Sequence, residues 1–200
     1  MRSRALSITT SLVLITCSCT VTSCAVSVPG DPTAAGIPRT SAKPLPFTPT
    51  IKNRTNDRTD GTTFEPCSAY TDPELQALDI NPATITDAAQ IDSANYRGCH
   101  WRAFDYTSAR GGTQYSQIVG LEMPLDQYKK KMSSRTWQPD RTAHGRTIAV
   151  ASGFDDCVVA FRSDESIVTT NAAATTPSPG LTAECDRAIA FASLAISKAP

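Results

Sequence analysis

The chain has 200 residues, 14 of them proline and only 6% aromatic, with a formal charge of zero. So little aromatic mass supports one modest core beside unstructured chain rather than two full domains. A neutral balance without a basic face argues against nucleic acid as a partner, and the one cationic run, Lys129-Lys130-Lys131, reads as a solvated helix face.

Arg2 and Arg4 precede an apolar centre of Leu6, Ile8, Leu12, Val13, Leu14 and Ile15, in a stretch from Ala5 to Val21 that is otherwise small or hydroxylated. A positive start and a short apolar run form the pattern of a secretory signal peptide, and the run falls short of the about 20 mainly apolar residues that a spanning helix needs. Ser3 separates the two arginines, so a twin-arginine signal is absent and the general secretion route is expected. Of the three cysteines that follow, only Cys24 has suitable residues before it: Val21-Thr22-Ser23-Cys24 resembles the lipobox of bacterial lipoproteins. Cys17 has Thr16 where Gly, Ala or Ser is wanted, and Cys19 lacks an aliphatic residue three positions back. The resemblance implies cleavage after Ser23, a diacylglyceryl thioether on the Cys24 sulfur, and often an acyl group on the new amine. Two or more chains, at about 0.8 kcal/mol per buried methylene, suffice for stable anchoring. The expectation is a signal peptide over 1–23 and a product held by Cys24 at the extracytoplasmic face of the cell membrane. Losing Arg2 and Arg4 leaves that product slightly acidic.

From Ala25 to about Thr62 the chain carries Pro29, Pro32, Pro38, Pro44, Pro46 and Pro49 among small and charged residues, with Phe47 the only aromatic. Such a composition cannot build a core. It predicts a Pro/Thr-rich spacer over 24–62, extending on the order of 3 Å per residue where polyproline-like. Asn53-Arg54-Thr55 fits a glycosylation sequon, read here as chance.

The organised part is expected over 63–200. Thr71-Asp72-Pro73-Glu74 carries a helix-capping signature, and Leu75 and Leu78 mark the apolar stripe of a short helix ending near Asp79. Cys99 to Tyr106 alternates, with Cys99, Trp101, Ala103 and Asp105 on one side and His100, Arg102, Phe104 and Tyr106 on the other; Gly111-Gly112 turns the chain into a returning strand, Tyr115 to Leu121. Leu125, Tyr128 and Met132 share a face of a second helix from Pro124 to Met132. Arg146 to Ala151, Cys157 to Arg162 and Ser166 to Thr170 read as strands of an antiparallel meander. A loop over Asn171 to Gly180 leads into the longest helix, Leu181 to Lys198, with Cys185, Ile189, Ala192 and Ile196 on one stripe. The order predicts an α+β domain, an antiparallel sheet of about five strands with helices packed on it.

Cys67, Cys99, Cys157 and Cys185 remain beyond the anchor. An even count in an exported domain argues for two disulfides, with three connectivities open. Cys67 to Cys99 and Cys157 to Cys185 is the favoured pairing, because each closes a loop of about 30 residues and stabilises by roughly 3–4 kcal/mol in the chain-entropy model. Zinc sites bring cysteines two to four residues apart, so no metal is expected. Pro66-Cys67 before a capped helix, Gly98-Cys99-His100-Trp101 on a strand, Gly153-Phe154-Asp155-Asp156-Cys157 and Cys185 together resemble actinobacterial envelope lipoproteins of the mycobacterial and nocardial type. Those carry a domain whose function is not established. The likeness runs from Phe64 to about Ala199 and implies two disulfides, a surface location and no catalytic residue.

Chemistry-bearing groups are sparse. His100 and His144 are the only histidines, no GxSxG elbow surrounds Ser152, and Gly111-Gly112 lacks the lysine and hydroxyl of a phosphate loop. Trp101 is expected to pack on the Cys67 to Cys99 bridge. Arg102, Phe104 and Tyr106 are the candidate contact residues, provided no helix covers them. The leading expectation is a non-enzymatic binding or interaction module without a cofactor, facing an envelope protein, lipid or glycan. The alternatives are an envelope hydrolase or transferase using His144 with Asp155 or Asp156, and a sensor or accessory subunit of an envelope complex. The anchor has a direct check: cells fed radioactive palmitate label the native chain, and Cys24→Ala abolishes the label.

Overall fold

In the computed structural model the described residues are 43–49, 51–88, 95–107, 109, 111–153, 156–174 and 180–200, with Leu121 described in its backbone alone. The signal segment, the lipobox with Cys24, the neighbouring Cys17 and Cys19, and Phe154 and Asp155 lie outside the described residues.

Glu74 opens the fold by accepting hydrogen bonds from the Thr71 amide (2.9 Å) and hydroxyl (3.0 Å), which starts α1 (Asp72–Gln76). The helix is shorter than its capping signature suggested: turn bonds carry the chain over Ala77 and Leu78 to Asp79, whose positive φ of 59° ends the helical path. Eight strands follow among the described residues: β1 (Ile80–Asp87), β2 (Tyr96–Ala103), β3 (Thr113–Glu122), β4 (Thr136–Trp137), β5 (Arg141–Ala143), β6 (Arg146–Ser152), β7 (Asp156–Ser163) and β8 (Ser166–Ala174). α2 (Leu125–Lys131) lies between β3 and β4, and α3 (Leu181–Ile196) follows β8. They form one antiparallel sheet in the order β1-β2-β3-β8-β7-β6-β4, with β5 also paired to β6.

The expectation of about five strands is therefore corrected to eight among the described residues, and strand outweighs helix. β1 escaped notice because Asn81-Pro82-Ala83-Thr84 lacks alternation, and a proline is tolerated there only because β1 is an edge strand. β4 and β5 are too short to show a period. β8 continues through Asn171 to Ala174, residues whose small side chains read as loop.

α3 packs across β6, β7 and β8 on one face of the sheet. Its buried stripe is Cys185, Ala188, Phe191, Ala192, Ala195 and Ile196, with Ile189 at the margin. Three alanines let the helix axis approach the strands, and Phe191 fills the centre. Its ring meets Trp101, Tyr115 and Tyr70 at centroid distances of 5.5, 6.0 and 5.4 Å, geometries favoured by aromatic quadrupoles. One polar seam crosses this core: Gln117 accepts from the Tyr70 hydroxyl and donates to Thr170 Oγ1 at 2.9 Å. Burial pushes the Tyr70 pKa well up, so it stays a neutral donor. Two disulfides join Cys67 to Cys99 and Cys157 to Cys185, with Cα separations of 5.5 and 4.9 Å. The first ties the segment before α1 to β2, the second ties α3 to β7.

The folded part reaches further toward the N-terminus than the proline count suggested. Leu45 and Phe47 pack on the main core, and two buried arginines fasten residues 54–67 to the sheet. Arg54 donates to Asp87 Oδ1 (3.1 Å), Glu65 Oε2 (2.6 Å) and the Gly98 carbonyl (2.8 Å). Arg97 donates to the carbonyls of Thr59 (2.9 Å), Thr62 (2.7 Å) and Phe64 (2.5 Å), and to Glu65 (3.1 Å). Gly98 has no alternative at this junction, since a Cβ there would lie 2.9 Å from Ile118 Cα. Removing one member of a buried ion group strands its partners. Arg54→Met is thus expected to lower stability by about 3–5 kcal/mol, read as a shift of the denaturant midpoint at unchanged m-value.

Candidate functional site

The sheet's second face is covered unevenly. Tyr128 of α2 packs with Ala160 and Ile167 of β7 and β8, and Met132 and Trp137 close that cluster. No described helix lies over β1, β2 and β3 on this side. The alternation of β2 turns Cys99, Trp101 and Ala103 into the core and leaves His100 and Arg102 outward.

The edge of this open face carries a strand interruption. Asn81 pairs with Arg102, but the next partner of β2 is Thr86, opposite His100. Residues 82–85 therefore bulge out opposite Trp101 alone, and such bulges re-aim side chains. Pro82 supplies no ladder donor. Side chains replace the missing ladder: Thr84 Oγ1 accepts the Arg102 amide (2.9 Å) and donates to the Asn81 carbonyl (2.7 Å), and Asn81 Oδ1 accepts the Ala83 amide (3.1 Å). A cleft of about 560 Å³ opens beside the bulge, lined by Thr84, Thr86, His100, Trp101, Arg102 and Gln114. Its size falls within the range of small-molecule sites. Burial by neighbouring atoms lowers the His100 pKa and the Asp87 charge partly opposes it, which favours a neutral imidazole able to donate and accept.

Of the residues expected to form a contact face, Arg102 and Tyr106 are brought together, the guanidinium carbon lying 4.6 Å from the ring centroid. Arg102 has no carboxylate partner among the described residues. Phe104 is 52% exposed. The three do not share one strand, as alternation had implied: β2 ends at Ala103 and the chain turns over Phe104 and Asp105, so Tyr106 folds back onto Arg102. Trp101 lies in the core, 1% exposed. Thr84, Thr86 and Gln114 carried no motif, and only the strand register shows them to be neighbours of Arg102.

The same face ends in an ion pair. Register carries one row of residues from Asn81 through Arg102, Gln114 and Ala173 to Asp156. Arg135 donates to both Asp156 oxygens (2.8 and 2.9 Å), and Asn171 donates to the second (2.6 Å). Gly153 leaves room for this pair, because a Cβ would meet the Asp156 carboxylate and Arg135 Nη1. Arg135 and Asn171 hold the Asp156 carboxyl below its ordinary pKa, so it is an anion rather than a proton donor. His144 stands far from it, in the two-residue turn with Gly145 that joins β5 to β6, with φ of 47° and 77°. All of β6 separates the two, about 23 Å at ~3.3 Å per residue. Among the described residues no group of three or more His, Cys, Asp or Glu could hold a metal ion, and no helix is long and apolar enough to cross a membrane.

An all-antiparallel sheet with a long helix on one face, two disulfides and a partly open second face defines the class of domain. Residues 19–198 match the family described as protein of unknown function (DUF3558), and the chain belongs to that family. No curated protein and no solved structure gives a significant match.

The Arg135 pair makes stability depend on pH in a known direction. A carboxyl whose folded pKa is depressed stabilises the fold above its unfolded value, about 3.9, and that contribution disappears as pH falls through the folded pKa. Asp156→Asn is expected to lose about 1–2 kcal/mol at pH 7, and the difference from the native chain is expected to shrink as pH falls below the unfolded value toward and through the folded pKa, followed by chemical denaturation across that acid range.

Proposed function

We propose that this chain is a cell-envelope lipoprotein of the actinobacterial kind, anchored through Cys24, whose domain is a non-enzymatic binding module. The observation that carries the binding role is the sheet face at β1–β3, over which no described helix lies. There Arg102 has no acid partner among the described residues and stacks on Tyr106, Phe104 stands exposed, and a strand bulge opens a cleft beside them. A cation, two aromatics and polar side chains on a rigid sheet suit recognition of an envelope protein, lipid or glycan. Two disulfides accord with an oxidising exterior, and the lipobox supports the anchor. His144 and Asp156 stand apart, which lends no support to a hydrolase or transferase built on that pair, while Asp155, the other candidate partner, lies outside the described residues. A sensor or accessory subunit would use the same face.

A photo-crosslinking amino acid placed at Phe104 in intact cells tests the reading. Mass spectrometry is expected to find a discrete adduct that Arg102→Glu reduces at least about fivefold, matching the loss of one charge-assisted contact. The same probe at Leu181, also exposed but on α3, is expected to yield none. Equal adducts at both positions, or none at Phe104, reject the face.

A further inference from the structure

The register of β1, β2 and β3 gathers five polar side chains on the face over which no described helix lies. Thr86 stands opposite His100 and His100 opposite Ser116, while Arg102 stands opposite Gln114. Cys99, Trp101 and Tyr115, which alternate with them along β2 and β3, are buried in the main core. Thr86, His100 and Arg102 are exposed, Gln114 and Ser116 half-buried. With strands about 4.8 Å apart and successive outward positions about 7 Å apart, the group spans about 10 by 7 Å, the footprint of a mono- or disaccharide. Four of the five, all but Ser116, line the cleft of about 560 Å³.

None of these five side chains hydrogen-bonds to a described residue. Tyr106 occupies one flat side of the Arg102 guanidinium, which leaves its N–H groups, all directed in the plane, available for a fork of two hydrogen bonds to a carboxylate. Neutral His100 both donates and accepts, as do the Thr86 and Ser116 hydroxyls and the Gln114 amide. Among the described residues of the cleft lining Arg102 alone is charged. The carboxylate at the end of β1, Asp87, is engaged elsewhere, by Arg54 Nε at 3.1 Å.

We propose that this face binds an acidic saccharide, a sugar unit whose carboxylate lies on Arg102 and whose ring hydroxyls are read by Gln114, His100 and Thr86. Charge sets the acid. A carboxylate carries one negative charge and presents two oxygens in a plane, matching a lone guanidinium, whereas a phosphate monoester at about −1.5 to −2 calls for more than one cation. The neutral groups set the sugar, since side chains that each donate and accept suit a ligand with several hydroxyls. A lipid tail needs continuous apolar surface, which these outward positions do not supply. A protein partner draws on aromatic or apolar anchors at the centre of its contact, whereas Phe104 stands past the end of β2. A free sugar acid and a uronate unit of an envelope polymer share this chemistry. The inference rests on the binding face described above and names its ligand.

The chain contains two histidines, so labelling the full chain with ¹³C,¹⁵N-histidine gives two imidazole signals, assigned by His144→Asn. With the protein in phosphatidylcholine nanodiscs at constant pH, galacturonate is expected to shift the His100 signal to saturation while His144, in the β5–β6 turn, stays fixed. Arg102→Ala should raise the galacturonate Kd about tenfold, as for loss of a charge-assisted hydrogen bond, with the His144 signal unmoved as the sign of an intact fold. Trigalacturonate binding more tightly than galacturonate would identify a polymer unit, and equal affinity a free sugar acid; either result requires the site. An absent shift, an equal shift from galactose or galactosamine, tighter binding of galactose 1-phosphate, or an unchanged Kd in Arg102→Ala overturns the proposal. A flat titration with the Phe104 crosslinks intact rejects the acidic saccharide alone, whereas a flat titration with the crosslinks absent rejects the binding face.

Discussion

The buried ion group of Arg54, Glu65 and Arg97 decides where the domain begins. Both guanidiniums are nearly removed from water, and Glu65 lies between them with its oxygen 2.6 and 3.1 Å from their nitrogens. Burying such charges is costly unless every donor is matched. Here backbone carbonyls of residues 59, 62 and 64 take most of the Arg97 donors. A segment with almost no apolar side chains is thereby given a fixed path, by carbonyl groups that any sequence possesses. The position of Cys67 opposite Cys99, and the start of α1 beyond it, follow from that path.

The two faces of the sheet use their residues for opposite ends. On the α3 side, alanines bring the helix close, four aromatic rings interlock, and the one polar seam is closed by Gln117. A further charge is tolerated there at a cost: Glu184 is fully buried at the start of α3, its carboxyl faces Thr113 and Arg187, and burial pushes its pKa up. On the other side, α2 protects only the strands far from β1. The remaining face keeps polar side chains directed at solvent, and the bulge at residues 82–85 lies at its edge.

What the sequence revealed followed the strength of local signals. β2, β6 and β7 alternate or run continuously apolar, and Gly111-Gly112, Ser163-Asp164 and the capped helix start are chemical punctuation that needs no tertiary partner. The cysteine pairing was readable because each pair closes a loop of similar modest length. β1 was not readable, because Asn81-Pro82 speaks against a strand and is overruled by pairing with β2. Arg54 was hidden in a hydrophilic stretch, where nothing local distinguishes a solvated arginine from one held by Asp87, Glu65 and Gly98. For the site, Arg102 and Tyr106 were named from alternation, yet their contact arises from a turn that breaks it. Thr84 and Gln114 join them only through strand register, a property of partners distant in the chain.

The two disulfides are arranged in sequence without overlap: Cys67 to Cys99 is complete before Cys157 is reached, and Cys157 to Cys185 encloses none of the first loop. Among these four cysteines, each one that closes a bridge has its native partner as the nearest preceding one not yet paired. For these four, pairing in order of appearance coincides with the native pairing. The linear order of the cysteines thus matches the order of their bridges, the one at the β2 end of the sheet complete in sequence before the one that joins α3 to β7.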